Sequence, residues 1–156
     1  MKDLGRKMTV VALVGLAACG SDPVDVSSET MAGSINGEPF MFVAGETNAF
    51  LSEGDDGFFS DLYGAPYTSC GFSKPTGPHI IARVPMQPGD YTLSFQQNMT
   101  FTYADDDGEI QNLIGTHGRL IVDEVTTTSV SGRLHGIYDD DNDVDGAFVL
   151  SICPDQ

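Results

Sequence analysis

Asp141, Asp143, Asp145 and Gly146 lie in the run of this sequence that most directly suggests a chemistry. They spell the opening of a D-x-D-x-D-G calcium loop. Hard oxygen donors fall on alternate residues, and a glycine follows to allow a sharp turn. The twelfth position counted from Asp141 is Ile152, where an EF-hand carries a bidentate glutamate, and the flanks alternate like strands rather than helices. The run therefore reads either as a weak Ca²⁺ site in a hairpin or as a solvated acidic loop that protects a sheet edge. Asp105, Asp106 and Asp107 form a poorer acidic cluster, and Asp55-Asp56-Gly57 reads as a turn. His79, His117 and His135 stand in separate segments without the paired spacing of metal ligands. No Gly-x-Ser-x-Gly, Ser-x-x-Lys or His-Glu-x-x-His signature occurs, and the expectation is a protein that is not an enzyme. Paired carboxylates of the kind used in glycoside hydrolysis carry no information in so acidic a chain, so a hydrolase with an acidic site stands as an alternative.

Three cysteines complete the reactive side chains: Cys19, Cys70 and Cys153. Residues 1–7 carry Lys2, Arg6 and Lys7 against Asp3, and residues 8–18 are uncharged and apolar. That is the layout of a secretory signal, and its apolar run is well short of the roughly 20 residues a spanning helix needs. Leu16-Ala17-Ala18-Cys19 closes the run and resembles the lipobox of bacterial lipoproteins. The resemblance implies that the Cys19 thiolate accepts a diacylglyceryl group, that a peptidase then cuts before it, and that the new amine is acylated in turn. Two or more acyl chains anchor a protein stably, whereas one binds only marginally. Gly20, rather than an aspartate, follows the cysteine. In the lipoproteins it resembles, that favours the outer membrane of the cell envelope.

With Cys19 committed to lipid, Cys70 and Cys153 remain. Two leftover cysteines outside the cytoplasm usually pair, and the alternative is two buried thiols. The full chain of 156 residues carries a formal charge of −16. Removing residues 1–18 takes away three of the seven bases and one of the 23 acids, which leaves 138 residues at −18. A chain of that length suits one domain with a real core. Its charge repels phosphate backbones, which excludes nucleic acid as a partner, and repels anionic lipid, so membrane contact would run through the lipid anchor alone.

The elements that would position these residues are strands. Residues 19–29 are small, acidic and Pro-containing and read as a flexible tether, with the folded domain over residues 30–156. Asn36-Gly37 is the favoured pair of a type I′ turn and predicts a hairpin of residues 31–35 with 38–43. Pro39 cannot donate to a ladder, so its strand should begin there or lie at an edge. Residues 47–52 predict a third strand. Residues 53–78 are rich in Gly and Pro yet hold Phe58, Phe59, Tyr63, Tyr67 and Phe72, and read as a long loop or lid. Phe58, Phe59 and Tyr63 are its candidate contact residues. Alternating runs then follow at residues 79–84, 91–95, 99–103, 109–114, 119–122, 125–130 and 131–138, with Tyr91, Leu93 and Phe95 expected inward. Residues 146–153 are apolar on both faces and suit a central strand. Short strands at close spacing, without helical periodicity, predict an all-β fold. The expected form is an antiparallel β-sandwich or partly open barrel of about eight to ten strands.

Residues 33–40 (Gly-Ser-Ile-Asn-Gly-Glu-Pro-Phe) and Ser131-Gly132-Arg133-Leu134 leading to Gly146-Ala147-Phe148 and Cys153 resemble a loose group. Its members are small, uncharacterised β-sandwich lipoproteins of diderm bacteria. The resemblance implies a fold and an address but no assigned reaction. Three functions are carried forward. The first is a lipid-anchored envelope protein that binds a protein or an envelope polymer without catalysis. The second is a calcium-dependent adhesion module, and the third is the hydrolase.

Overall fold

The structure is a computed structural model that describes residues 25–47 and 56–154. Cys19, the signal expected over residues 1–18 and most of the expected third strand lie outside the described residues. Among the described residues eleven strands form, and no helix does. The chain is all-β, a single sheet curled on itself into an open half-barrel whose concave side holds the core.

The sheet begins as the turn chemistry dictates. β1 (Ala32–Ile35) and β2 (Glu38–Met41) pair antiparallel across Asn36 (φ 54°) and Gly37 (φ 74°). Both residues sit in the left-handed region that a type I′ turn requires. β2 pairs with β1 alone, so the missing N–H of Pro39 falls at an edge, where it costs no ladder bond. The folded body starts before Thr30. Val26 is buried, the Ser27 N–H donates to Asp145 Oδ1 at 3.1 Å, and the Ala147 N–H donates to the Glu29 carbonyl at 2.6 Å. Residues 25–29 are therefore part of the domain rather than of a tether.

β3 (Ala44–Thr47) and β4 (Gly57–Tyr63) come next and correct the expectation of a loop through residues 53–78. β4 lies between β3 and β5 (His79–Pro85), with Phe58, Ser60 and Leu62 turned to the core and Phe59 and Asp61 outward. The glycines and prolines around it mask an ordinary period-2 strand. β6 (Gly89–Thr92) pairs with β9 (His117–Val125), and β7 (Met99–Ala104) joins β5 to β8 (Ile110–Gly115). Phe95 is not inward. β6 stops at Thr92, Leu93 still donates to the Gly118 carbonyl, and the chain then leaves the sheet. β10 (Ser129–Asp139) is separated from β9 by a turn in which Thr126 N–H donates to Ser129 O at 2.8 Å. Val125 and Val130 therefore belong to two strands and not to one.

β11 (Asn142–Ser151) is central, flanked by β10 on one side and by β1 and β3 on the other. One of its faces is buried and the other is half-covered. Val144, Phe148 and Leu150 are buried while Val149 is exposed. Gly146 sits at φ 141°, and a Cβ there would collide with the Met31 backbone. This glycine is required by the close approach of residues 29–31 and not by a metal loop.

The core closes between the two arms of the curl. Leu120, Val122, Leu134, Val144, Phe148 and Leu150 meet Leu62, Ile80, Val84, Met99 and Phe101. The narrowest point of the hydrogen-bonded path is the seam between β11 and β3. Apart from an isolated parallel bridge of Thr30 with Ala147, it is the one parallel pairing among the described residues, with a single register pair, Ser151 opposite Glu46.

Candidate functional site

Glu46 marks that seam. β3 places it on the outer side of the sheet, yet residues 64–78 fold back over it and leave its side chain 4% exposed. A buried carboxylate needs a cation and hydrogen bonds to remain charged. Lys74 supplies the cation, with Nζ 3.0 Å from Glu46 and 2.6 Å from Asp61. The Cys70 N–H donates to Glu46 Oε2. Cys70 itself takes the left-handed conformation, φ 63°, that aims this N–H inward.

Cys70 is bonded to Cys153, with Cα atoms 5.3 Å apart, as the cysteine count predicts. Cys153 follows β11 and its N–H donates to Thr47 Oγ1 at 3.2 Å. The disulfide and the Glu46–Lys74 pair thus span the same seam, one from β11 and one from β3. Among the described residues, Glu46, Cys70 and Cys153 form the one group of three acidic, cysteine or histidine side chains with ligand atoms within 4.8 Å of one another. With its sulfurs joined, the group offers a metal one carboxylate and no thiolate, so its chemistry here is structural.

Aromatic rings pack beside the ion pair. Tyr63 stacks on His79 with centroids 4.9 Å apart and meets Tyr67 edge-on at 5.1 Å. Burial, reinforced by the Asp61 charge, pushes the Tyr63 phenol up to about 12. Tyr67 is raised further, by burial first and then by the Glu46 charge. Burial alone would lower Lys74, but its bonds to Asp61 and Glu46 outweigh that and raise it. All three groups hold their protons more tightly folded than unfolded. Their contribution to stability is complete below about pH 10, the unfolded value, and is lost as pH rises through the folded values. Melting midpoints are expected to stay level from pH 7 to 9 and fall between about pH 10 and 12. Tyr63→Phe and Tyr67→Phe should each blunt that fall, and a wild-type midpoint that does not move up to pH 12 would contradict this account.

The residues singled out in the sequence are dispersed. Phe58 and Tyr63 are buried, at 5% and 3% exposure, and only Phe59, at 58%, faces out from β4. The three cannot form one exposed contact surface. Asp141 lies in the β10–β11 turn, while Asp143 and Asp145 lie on β11. Asp143 accepts from Ser34 Oγ at 2.9 Å, and Asp145 accepts from Ser27 N–H and faces His135 Nδ1 at 3.7 Å. Asn142 and Asp139 hold the turn: Asn142 accepts from Asn36 N–H at 2.8 Å and donates to Asp139 Oδ1 at 2.7 Å, and Asp139 Oδ1 also accepts from Asp141 N–H at 3.1 Å. The carboxylates of Asp141, Asp143 and Asp145 do not converge to within ligating distance of one another. The melting midpoint is therefore expected to be the same in EDTA and in millimolar Ca²⁺. A rise with Ca²⁺ that Asp143→Asn abolishes would overturn that expectation. His79, His117 and His135 fall on β5, β9 and β10 and do not converge.

Glu46 and Lys74 were not singled out by motif. One signal pointed to them: Lys74 is the only lysine after residue 18 in a chain so rich in acid. Among the described residues each of the four Lys and Arg side chains holds a carboxylate: Lys74 on Glu46 and Asp61, Arg83 on Asp56, Arg119 on Asp90 and Arg133 on Asp123. The Arg119 bonds hold the exposed Asp90 carboxyl below its usual range.

Among the described residues, three of the concavities open to solvent bear on the acidic-site reading. One of about 200 Å³ lies between the β1–β2 hairpin and residues 64–78, with Glu38 its only acid. A second, of about 450 Å³, is lined by Phe42, Ala147 and Val149 among others and holds no acid. The third, of about 750 Å³, lies where β5 ends and contains Asp56, already paired with Arg83. None of the three carries two carboxylates that face each other across it. Fold and site together define a disulfide-stapled, all-β acidic domain. The chain matches no protein-family model, no curated protein and no solved structure.

Proposed function

We propose that this chain is a lipid-anchored protein of the bacterial cell envelope, held through Cys19, whose β-domain works by binding a protein or an envelope polymer and not by catalysis. The observation that carries the reading is the Cys70–Cys153 disulfide. Such bonds persist in oxidising compartments and are rare in the cytosol. It agrees with the signal and lipobox of residues 1–19. Gly20 after the lipidated residue favours the outer membrane. An acidic body at −18 leaves the lipid as the means of attachment, because anionic lipid repels it. Binding surfaces of such a domain are its loops, where Phe72 and Phe95 stand exposed.

Cell fractionation tests the anchor. Wild type should sediment with membranes and partition into detergent, and Cys19→Ser should appear in the soluble fraction or as uncleaved precursor. A Cys19→Ser protein that stays processed and membrane-bound would end the reading.

A further inference from the structure

Three strands have a neighbour on one side only among the described residues: β2, β6 and β8. An open strand edge is a template for another chain, and natural proteins blunt such edges with charge, proline or shortness. Two of the three are blunted. β2 carries Glu38 and Pro39, and β6 is four residues long and carries Asp90. β8 is not blunted. Its six residues, Ile-Gln-Asn-Leu-Ile-Gly, hold no charge and no proline.

The hairpin register decides which backbone groups lie on the open side. Asp105 N–H donates to the Glu109 carbonyl at 2.9 Å, so residues 105 and 109 are a bonded pair. Bonded and non-bonded pairs alternate along an antiparallel ladder. Tyr103–Gln111 and Phe101–Leu113 are then bonded pairs, and Thr102–Asn112 and Thr100–Ile114 are not. The N–H and C=O groups of Ile110, Asn112 and Ile114 therefore point away from β7. The same three residues are the exposed ones of the strand, with Ile110 at 63% and Ile114 at 50%. Asn112 is steadied between them by Thr102 Oγ1, which donates to its Oδ1 at 2.9 Å.

Both ends of this uncharged edge are acidic. Exposed Asp106, Asp107 and Glu109 precede it. The end of β10 closes on its far end, where a Cβ on Gly115 would lie 3.5 Å from the Ile137 carbonyl, and exposed Asp139, Asp140 and Asp141 follow. No Lys or Arg occurs in residues 104–116 or 134–151. A second copy of the chain would bring the same acids and be repelled. A polysaccharide lacks the alternating N–H and C=O groups that a strand edge pairs with. We infer that the outer edge of β8 takes up an extended segment of a partner protein as an added strand, apolar and β-branched at its centre and carrying Lys or Arg at both ends. Main-chain hydrogen bonds supply the affinity, Ile110 and Ile114 meet alternate side chains of the segment, and the two acidic turns select its charge. The inference rests on the reading of the domain as a binding module and names the chemistry of its partner.

The test titrates the full chain, purified in neutral detergent, with a short peptide that alternates Ile and Thr between paired lysines. The peptide should bind, and more weakly as salt is raised. The same peptide flanked by glutamates, or N-methylated along its backbone, should not bind. Asn112→Pro removes an N–H on the open side and none from the β7 ladder, so it should weaken binding by roughly tenfold or more. Ile110→Lys should do the same by repelling the lysines, and its melting midpoint should stay at the wild-type value because Ile110 is exposed, so the second variant decides if the first fails to fold. Absence of binding, equal binding of the glutamate-flanked or N-methylated peptide, unchanged affinity in Ile110→Lys, or a dimer of the chain that Ile110→Lys dissolves would overturn the inference. Mass spectrometry of the same preparation reads the lipid on Cys19, so failure of the edge site and failure of the envelope reading give different results.

Discussion

Replacing Cys70 and Cys153 together by serine should lower the unfolding free energy by about 4–5 kcal/mol, the chain-entropy value for a closed loop of this length. The two residues are 83 positions apart, so the bond restricts more than half of the domain in the unfolded state. The native state loses something as well. β11 and β3 share one register pair, and without the bond nothing covalent holds residues 64–78 across that seam. The melting midpoint should fall by on the order of 15 °C for a domain of this size. Reducing the wild type should reproduce the shift, with both thiols verified by alkylation. A reduced protein that melts at the oxidised midpoint would show that the staple carries no stability.

Lys74→Met is expected to have the next largest effect. Glu46 is 4% exposed and would face Asp61 with no cation between them. Breaking a fully buried pair costs about 3–5 kcal/mol because a desolvated charge is stranded. Lys74 is itself 42% exposed, so solvent already screens part of the attraction, and about 2–3 kcal/mol is expected. Glu46→Leu combined with Lys74→Met should recover part of the loss, since an apolar pair avoids stranding the charge. Recovery stays partial because the Cys70 N–H loses its acceptor. Chemical denaturation of the two variants measures both effects. Wild-type stability in Lys74→Met, or a double variant weaker than the single one, would contradict this role for the pair.

What the sequence showed and what it hid divide along the range of the interactions. Asn36-Gly37 specifies its turn through its own backbone, and the first hairpin was legible for that reason. The alternation of Ile80, Ala82 and Val84, or of Met99 and Phe101, needs no partner to be read. β4 was hidden because its alternation is short and flanked by glycines, and because the burial of Phe58 is decided by β3 and β5 on either side. Gly45, Glu46 and Thr47 are all buried, which no period of 2 predicts; a loop drawn from residues 64–78 covers the outer face. The aspartates are dispersed for a related reason. Asp141, Asp143 and Asp145 have calcium spacing along the chain, but a strand carries two of them and a turn the third. Their hydrogen-bond partners, Ser34 and Ser27, lie more than 100 residues away.

The central claim is an oxidised β-body carried outside the cytosol on a lipidated Cys19. Intact-mass spectrometry of the protein extracted from membranes tests it most directly. The expected mass is that of a chain beginning at Cys19 with added acyl groups, containing no free thiol until it is reduced. A mass matching the full 156 residues with three alkylatable cysteines would contradict it.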